Sequence, residues 1–273
     1  MNTLLIDSGP LGLLAVFLLL GLVTGIPAGM FGIGGGLVLV PVLVWLFALM
    51  GFDSQYLVQS AIGTSLGAII PTAMLSARGH YLQGGVHGPS VRRLLPAILI
   101  GAVLGAWVAI QMDGRALSRI FGVFEIAIAL WLLLSVRPPR RPEAGPAIWF
   151  LAGAGIGGVS ALIGIAGGTL TTPFLLSQGR DIRRAIGSAA ALGIPIAIAG
   201  SLVYALPALL EPRLDAPEWS VGHLYLPAIA GIALGAAISV RAGVWLTHHL
   251  PVLLLRRAFA GVLMIAGLFM LLR

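Results

Sequence analysis

Long apolar runs alternate with short polar loops along almost the whole chain. Most runs approach the roughly 20 residues that a helix needs to cross about 30 Å of hydrocarbon. They lie at 11–31, 57–77, 94–112, 120–136, 148–165, 185–210, 224–240 and 258–272. This pattern predicts an all-α integral membrane protein.

The composition agrees with that prediction and excludes some classes of function. The chain has 59% hydrophobic and 9% charged residues, whereas about 25% of residues are charged in soluble domains. A net charge of +7 would suit nucleic acid, but the sixteen basic residues are all arginines, placed in short loops as membrane topology requires. We therefore expect a lipid bilayer around the protein and no nucleic-acid partner. Cysteine is absent, which excludes disulfides and thiolate metal sites.

Four blocks of sequence recur in the same order in the two halves of the chain. The recurrence predicts a first transmembrane repeat at 1–136, a linker at 137–146 and a second repeat at 147–273. The aligned blocks are 31–41 with 163–173, 61–71 with 185–195, 95–106 with 226–236, and 119–134 with 257–272.

Each repeat contains five segments, here called A to E, which gives eight to ten membrane segments in all. Segment B, at 37–50 and at 169–178, is as short as a re-entrant piece. Segments A and B together return the chain to its starting side, so C, D and E make the number of crossings odd. The second repeat is therefore predicted to be inverted.

The arginines predict the orientation, because cytoplasmic loops are enriched in basic residues. With the N-terminus outside, twelve of the sixteen arginines lie on the cytoplasmic side. The linker is then cytoplasmic, and the C–D loop of the second repeat is external.

A glycine-rich break precedes segment B in both repeats, "FGIGGGLVLVP" at 31–41 and "IGIAGGTLTTP" at 163–173. Broken helices at matching positions of inverted repeats indicate the central site of a transporter. The breaks free backbone N–H groups at helix N-termini, which favour anions. The predicted substrate-binding residues here are Gly32, Gly34, Gly35, Gly36, Gly164, Gly167, Gly168, Thr169, Thr171 and Thr172. The alternative, tight helix packing, is favoured instead for Gly101, Gly105, Gly231 and Gly235.

Segment C supplies further polar residues near the expected site. Thr64, Ser65 and Ser188 are predicted to contact substrate, although their hydroxyls could instead bond carbonyls of their own helix. Prolines are predicted to break or kink the helices at Pro41, Pro71, Pro173 and Pro195.

Glu125 is the one acid within a predicted span. An ionisable group at membrane depth is a candidate for function, here for proton coupling. A protonated or hydrogen-bonded packing residue is the alternative, and the aligned residue of the second repeat is Leu263.

The paired motifs resemble the sulfite exporter TauE/SafE family, also called the toluene sulfonate uptake permease superfamily. The resemblance covers nearly the whole chain and rests on two glycine-rich elements, each followed by an "AIGTS"-like element at 61–65 and 185–189. The second copy departs from the pattern, with "AIGSA" in place of a Thr-Ser pair and one glycine fewer. The resemblance implies transport of small sulfur-containing anions such as sulfite or organosulfonates, across a bacterial inner membrane.

The sequence thus predicts a secondary transporter that alternates access around a midplane anion site, and not an enzyme. An anion channel and a membrane-embedded assembly protein are the alternatives. The expected partner is a small anionic substrate, with proton coupling as one possibility. No cofactor is expected, and the histidines have no metal-binding spacing.

Overall fold

The computed structural model describes residues 9–31, 35–134, 143–210, 217–249 and 252–273. It is 84% helical, against about a third in an average globular protein, so the all-α prediction is confirmed. In chain order the helices are α1 Gly9–Phe31, α2 Gly36–Leu49, α3 Leu57–Leu82, α4 Gly88–Gln111, α5 Gly114–Leu134, α6 Pro146–Ile163, α7 Gly168–Ser177, α8 Ile182–Ala205, α9 Pro207–Leu210, α10 Leu226–His249 and α11 Val252–Leu272. A short antiparallel hairpin, β1 Ser220–Val221 with β2 Leu224–Tyr225, precedes α10.

Seven helical segments are long and apolar enough to cross a membrane. They are Gly12–Gly29, Leu57–Leu82, Gly88–Gln111, Gly114–Leu134, Pro146–Ile163, Ile182–Leu210 and Leu226–Gly243. Two shorter apolar helical segments, Gly36–Leu49 and Phe259–Leu272, bring the apolar segments found in the described residues to nine. The chain is therefore a multi-pass membrane protein.

Segment B forms a short helix in both repeats, as its length predicts. Helix α2 has 14 residues and α7 has 10. At 1.5 Å per residue they extend about 21 Å and about 15 Å, so neither spans about 30 Å of hydrocarbon.

The prediction that prolines break the helices is wrong. Each of the four lies inside a continuous helix, and the breaks before α2 and α7 occur at Gly35 and Gly167 instead. A proline removes only one N–H donor, and in membranes neighbouring groups satisfy the freed carbonyl. The four residues are Pro41 in α2, Pro71 in α3, Pro173 in α7 and Pro195 in α8.

Helices α3 and α8 form the centre of the molecule. About 72% of the α3 span and 61% of the α8 span is buried, against 33–44% in the other candidate spans. The outer helices direct leucine, valine and isoleucine side chains away from the protein, as lipid contact requires. The buried residues that position the site therefore lie mainly on α3, α8 and the two short helices.

The two central helices are antiparallel. Gly63, near the start of α3, packs on Tyr204 at the end of α8, where an added β-carbon would lie 3.0 Å from the tyrosine Cβ. At the opposite end, a β-carbon on Gly187 would lie 3.1 Å from Cβ of His80. Helices α5 and α11 also run antiparallel, since Ser118 meets Met270 and Gly122 meets Gly267.

Two other helix pairs are parallel and closely packed. Along α1 and α10, Gly21 meets Ile232 and Gly29 meets Val240. In the same helix pair, Gly231 meets Phe17 and Gly235 meets Leu18. Between α4 and α6, Gly101 meets Ala154 and Gly105 meets Gly158. A β-carbon at any of these glycines would collide with the partner helix, so the packing role predicted for Gly101, Gly105, Gly231 and Gly235 is confirmed.

Candidate functional site

The two glycine-rich breaks meet inside the protein. A β-carbon on Gly36, the first residue of α2, would collide with the carbonyl oxygen of Gly164 and would lie 3.0 Å from Cα of Ile165. From the same helix, Val40 lies against Gly164. Gly36 thus lacks a side chain because the second break packs directly on it. Segments that are 128 residues apart in the chain therefore form one centre.

The residues before the two short helices have the same backbone conformation. Gly35 has φ 76° and ψ −6°, and Gly167 has φ 75° and ψ −10°. Gly164, which ends α6, is also left-handed, with φ 76°. A residue with a β-carbon is strained in this region, so glycine is required at these turns.

The turns leave the first backbone N–H groups of α2 and α7 without an acceptor in their own helix. The hydrogen bonds of α2 begin with Val38 N–H donating to Gly35 O, and those of α7 with Leu170 N–H donating to Gly167 O. The earlier N–H groups of each helix have no acceptor within that helix. Each N-terminus also carries a partial positive charge, so both favour an anion.

Four buried hydroxyls on α6 and α7 have no hydrogen-bond partner in the described part of the chain: Ser160, Thr169, Thr171 and Thr172. Ser160 and Thr171 are 0% exposed. A β-carbon built on Gly167 would lie 3.3 Å from Ser160 Oγ and 3.6 Å from Thr171 Oγ1. Buried polar groups almost always have partners, so the unpartnered hydroxyls of Ser160 and Thr171 beside Gly167 indicate a candidate binding site.

The first repeat has no matching hydroxyls. The alignment of the two breaks pairs Thr169, Thr171 and Thr172 with Leu37, Leu39 and Val40, and pairs Ser160 with Ala28. These four apolar residues are all buried. The candidate site is therefore polar on the α7 side and apolar on the α2 side.

Ser160 was not predicted from the sequence. It lies on α6, within a run that reads as an ordinary membrane span, and only the fold brings it beside Gly167. The one available signal was that a serine replaces the alanine of the aligned first repeat.

The three polar residues of segment C form hydrogen bonds with backbone groups of neighbouring segments. Ser65 Oγ donates to Gly164 O at 3.0 Å, which ties α3 to the second break. Thr64 Oγ1 accepts from Tyr225 N–H at 3.0 Å, and Ser188 Oγ accepts from His87 N–H at 2.8 Å. The alternative of bonds within their own helix is not observed for these groups. Substrate contact by these three residues stays a prediction.

The structure brings the glycines of the two breaks together, whereas Ser188 lies at the opposite end of the central helix pair from Thr64, and two predicted residues are outside the described part of the chain. Gly35, Gly36, Gly164 and Gly167 form the contacting breaks, and Gly168 begins α7. Gly32 and Gly34 are not among the described residues. In the part of the chain that the structure describes, no three His, Asp or Glu side chains group together as a metal ion would need.

Glu125 lies on a different helix pair from the hydroxyl cluster. It is 0% exposed on α5, and its Cβ would lie 3.1 Å from a β-carbon on Gly267 of α11. Neither carboxyl oxygen has a hydrogen-bond partner among the described residues. A carboxyl without a partner at this depth is costly when charged, so Glu125 is a candidate for proton binding.

Comparison of the sequence with known protein families gives a match that includes the candidate site. The family described as sulfite exporter TauE/SafE matches residues 17–270, which include both glycine breaks, α3 and α8. The chain belongs to the sulfite exporter TauE/SafE family. The family resemblance of the paired motifs is therefore confirmed, and the chain is a membrane transporter.

Individual relatives of this TauE/SafE protein have transporter names. A probable membrane transporter protein of Haemophilus influenzae is 33% identical over 94% of this chain and 97% of its own length. A probable membrane transporter protein of Methanocaldococcus jannaschii is 27% identical over 95% of this chain and 96% of its own. No solved structure gives a significant match.

Proposed function

We propose that the protein transports a small sulfur-containing anion, such as sulfite or an organosulfonate, by alternating access around the two glycine breaks. Family membership supports the class of transported anion. The observation that carries the proposal is the cluster of unpartnered buried hydroxyls at the start of α7.

The chemistry of this cluster favours an oxyanion. Hydroxyls and backbone N–H groups donate hydrogen bonds, and a sulfite or sulfonate group has three oxygens that accept them. Two helix N-termini add positive potential without a buried arginine. Because donors to an anion form charge-assisted bonds, each hydroxyl should contribute about 1.5–3 kcal/mol to binding.

We further propose that 1–136 and 147–273 are inverted repeats joined by the cytoplasmic linker 137–146. The antiparallel directions of α3 with α8, and of α5 with α11, support this arrangement, since equivalent helices of inverted repeats run in opposite directions. The arginine bias supports an N-terminus outside a bacterial inner membrane.

Movement of one repeat against the other would expose the site to each side in turn. Glu125 would couple this movement to protons if its carboxyl gains and loses a proton during the cycle. Its burial without a partner, between helices of the two repeats, supports that role.

Counterflow in proteoliposomes tests the proposed function. Vesicles loaded with excess unlabelled sulfite should accumulate radiolabelled sulfite transiently, with a saturable initial rate. A panel of thiosulfate, alkylsulfonates, carboxylates and phosphate as competitors then identifies the preferred anion. Flux without saturation or counterflow would favour a channel, and the absence of any anion flux or binding would favour an assembly protein.

A further inference from the structure

The loops between segments C and D close on the two ends of the α3–α8 pair through the same three contacts. Near the start of α3 the loop is the β1–β2 hairpin, and near the start of α8 it is the turn at 83–87. The contacts of the two loops occur at aligned positions of the two repeats, although the loop sequences differ in length and composition.

The first set, here called the hairpin latch, joins the hairpin to α3 and α8. His223 N–H donates to Tyr204 O at 2.9 Å, and two residues later Tyr225 N–H donates to Thr64 Oγ1 at 3.0 Å. The carbonyl of His223 packs so closely on Gly63 that a β-carbon there would lie 2.6 Å away.

The second set, here called the turn latch, repeats this arrangement at the other end. Gly85 N–H donates to His80 O at 2.8 Å, and two residues later His87 N–H donates to Ser188 Oγ at 2.8 Å. The carbonyl of Gly85 packs on Gly187, where a β-carbon would collide with it. Gly187 and Ser188 align with Gly63 and Thr64 of the first repeat.

The two latches lie far apart along the same helix. Gly63 and His80 are 17 residues apart on α3, which corresponds to about 25 Å, most of the hydrocarbon thickness. Each latch fastens a loop over one end of the central helix pair. Both sets of contacts are formed in this structure.

The hairpin latch is also connected to the candidate site. Thr64 holds the hairpin, and the next residue, Ser65, donates to Gly164 O in the second glycine break. In α8, Ala189 follows Ser188 and has no hydroxyl for an equivalent bond. The second break is therefore linked through Ser65 to the residue that holds the hairpin.

We propose that Thr64 and Ser188 are paired gate residues, whose hydroxyls fasten the hairpin and the turn over opposite ends of the pathway and release them one at a time during transport. This inference rests on the proposed alternating-access function. It assigns both hydroxyls to the moving loops rather than to the anion.

Two buried serines on α3 provide matched reporters because the chain contains no cysteine. Ser60 lies one turn before Thr64 and is 9% exposed, whereas Ser76 lies one turn before His80 and is 8% exposed. Ser60→Cys and Ser76→Cys are made singly in the full-length protein, which is placed in nanodiscs. The rate of maleimide labelling then measures the opening of each end.

Loss of one latch hydroxyl should open one end only. Thr64→Val should raise labelling at Ser60→Cys by about fivefold to tenfold and leave Ser76→Cys unchanged, since one buried hydrogen bond is lost. Ser188→Ala should do the reverse. Thr64→Ser keeps the hydroxyl and should restore the original rate. Thr72→Val is the control, because the Thr72 hydroxyl donates within its own helix to Ile69 O at 2.8 Å.

The outcomes separate this inference from the proposed substrate. If either variant changes both reporters equally, or neither reporter changes, the latches are not independent gates. Should Thr64→Val fail to give a monodisperse protein, Thr64→Ala and Ser188→Ala are compared by the same criterion. Labelling requires no substrate, so the expected pattern in a protein that binds no sulfite would retain the gates and reject the anion.

Discussion

Gly35 and Gly167 have nearly identical left-handed backbone angles, although they are 132 positions apart in the chain. Each precedes a short helix, and the two breaks pack on one another through Gly36 and Gly164. The conformation is the same but the surroundings differ. A β-carbon at Gly167 would lie 2.5 Å from Cδ1 of Ile196 and also near the hydroxyls of Ser160 and Thr171. One at Gly35 would lie near Thr24 and Ala28 instead.

Substitution of Gly167 tests whether the break forms the site. Gly167→Val should abolish anion binding, because the side chain would displace Ile196, occupy the space beside the Ser160 and Thr171 hydroxyls and strain the turn by about 1–3 kcal/mol. Gly35→Val should have a similar effect by displacing α2. Isothermal titration calorimetry with sulfite measures both, after gel filtration and circular dichroism show a folded protein.

Gly51→Val is the matched control for the glycine variants. Gly51 has φ 79°, so its backbone strain is the same, but no atom lies within 4 Å of an added β-carbon. This variant should keep its sulfite affinity. Normal affinity in well-folded Gly35→Val and Gly167→Val proteins would mean that the glycine breaks serve packing alone.

The sequence predicted the glycine breaks because they repeat in the two halves of the chain, and the threonines of α7 because they directly follow the second break. It could not place Ser160 beside Gly167, since that contact depends on how α6 meets α7. Nor could it assign Thr64 to the hairpin, because Tyr225 is 161 residues away in the chain. Proline was overestimated as a helix breaker, since the local rule ignores compensation by neighbouring helices.

The topology can be tested with single cysteines, which are clean probes in a chain that has none. We expect a cysteine at exposed Gln83 to face the cytoplasm and one at exposed Glu218 to face outside, because of the arginine bias. An impermeant maleimide added to intact cells should label only the second. Equal labelling of the two would contradict the inverted arrangement.

Glu125→Gln mimics the neutral carboxyl and separates coupling from packing. If the proton is exchanged during transport, the variant should lose the dependence of sulfite flux on the pH gradient while it keeps counterflow, which needs no net proton movement. Flux in proteoliposomes with and without an imposed gradient measures this. A variant with wild-type pH dependence would make Glu125 a packing residue.

His223 should make stability depend on pH. It lies in the loop before α10, 3% exposed, and burial lowers its pKa to about 4. The unfolded chain, with a pKa near 6.5, binds a proton that the folded chain does not, so the free energy of unfolding falls as pH decreases from about 6.5 to about 4. The full loss is about 3 kcal/mol.

The matched variant for this effect is His223→Gln. Between pH 7 and pH 4.5 the thermal unfolding midpoint should fall by several degrees more in the wild-type protein than in the variant. Parallel curves for the two proteins would show that His223 is not held neutral by burial.

Sulfite binding by Thr171→Val tests the central claim most directly, since the Thr171 hydroxyl is fully buried, has no partner among the described residues and lies beside Gly167. Calorimetric titration should show affinity reduced about tenfold to a hundredfold, corresponding to loss of one hydrogen bond to a charged ligand, about 1.5–3 kcal/mol. Thr72→Val, which removes a buried hydroxyl from α3, should bind as the wild type does. Wild-type affinity in a folded Thr171→Val protein would contradict an anion site at the start of α7.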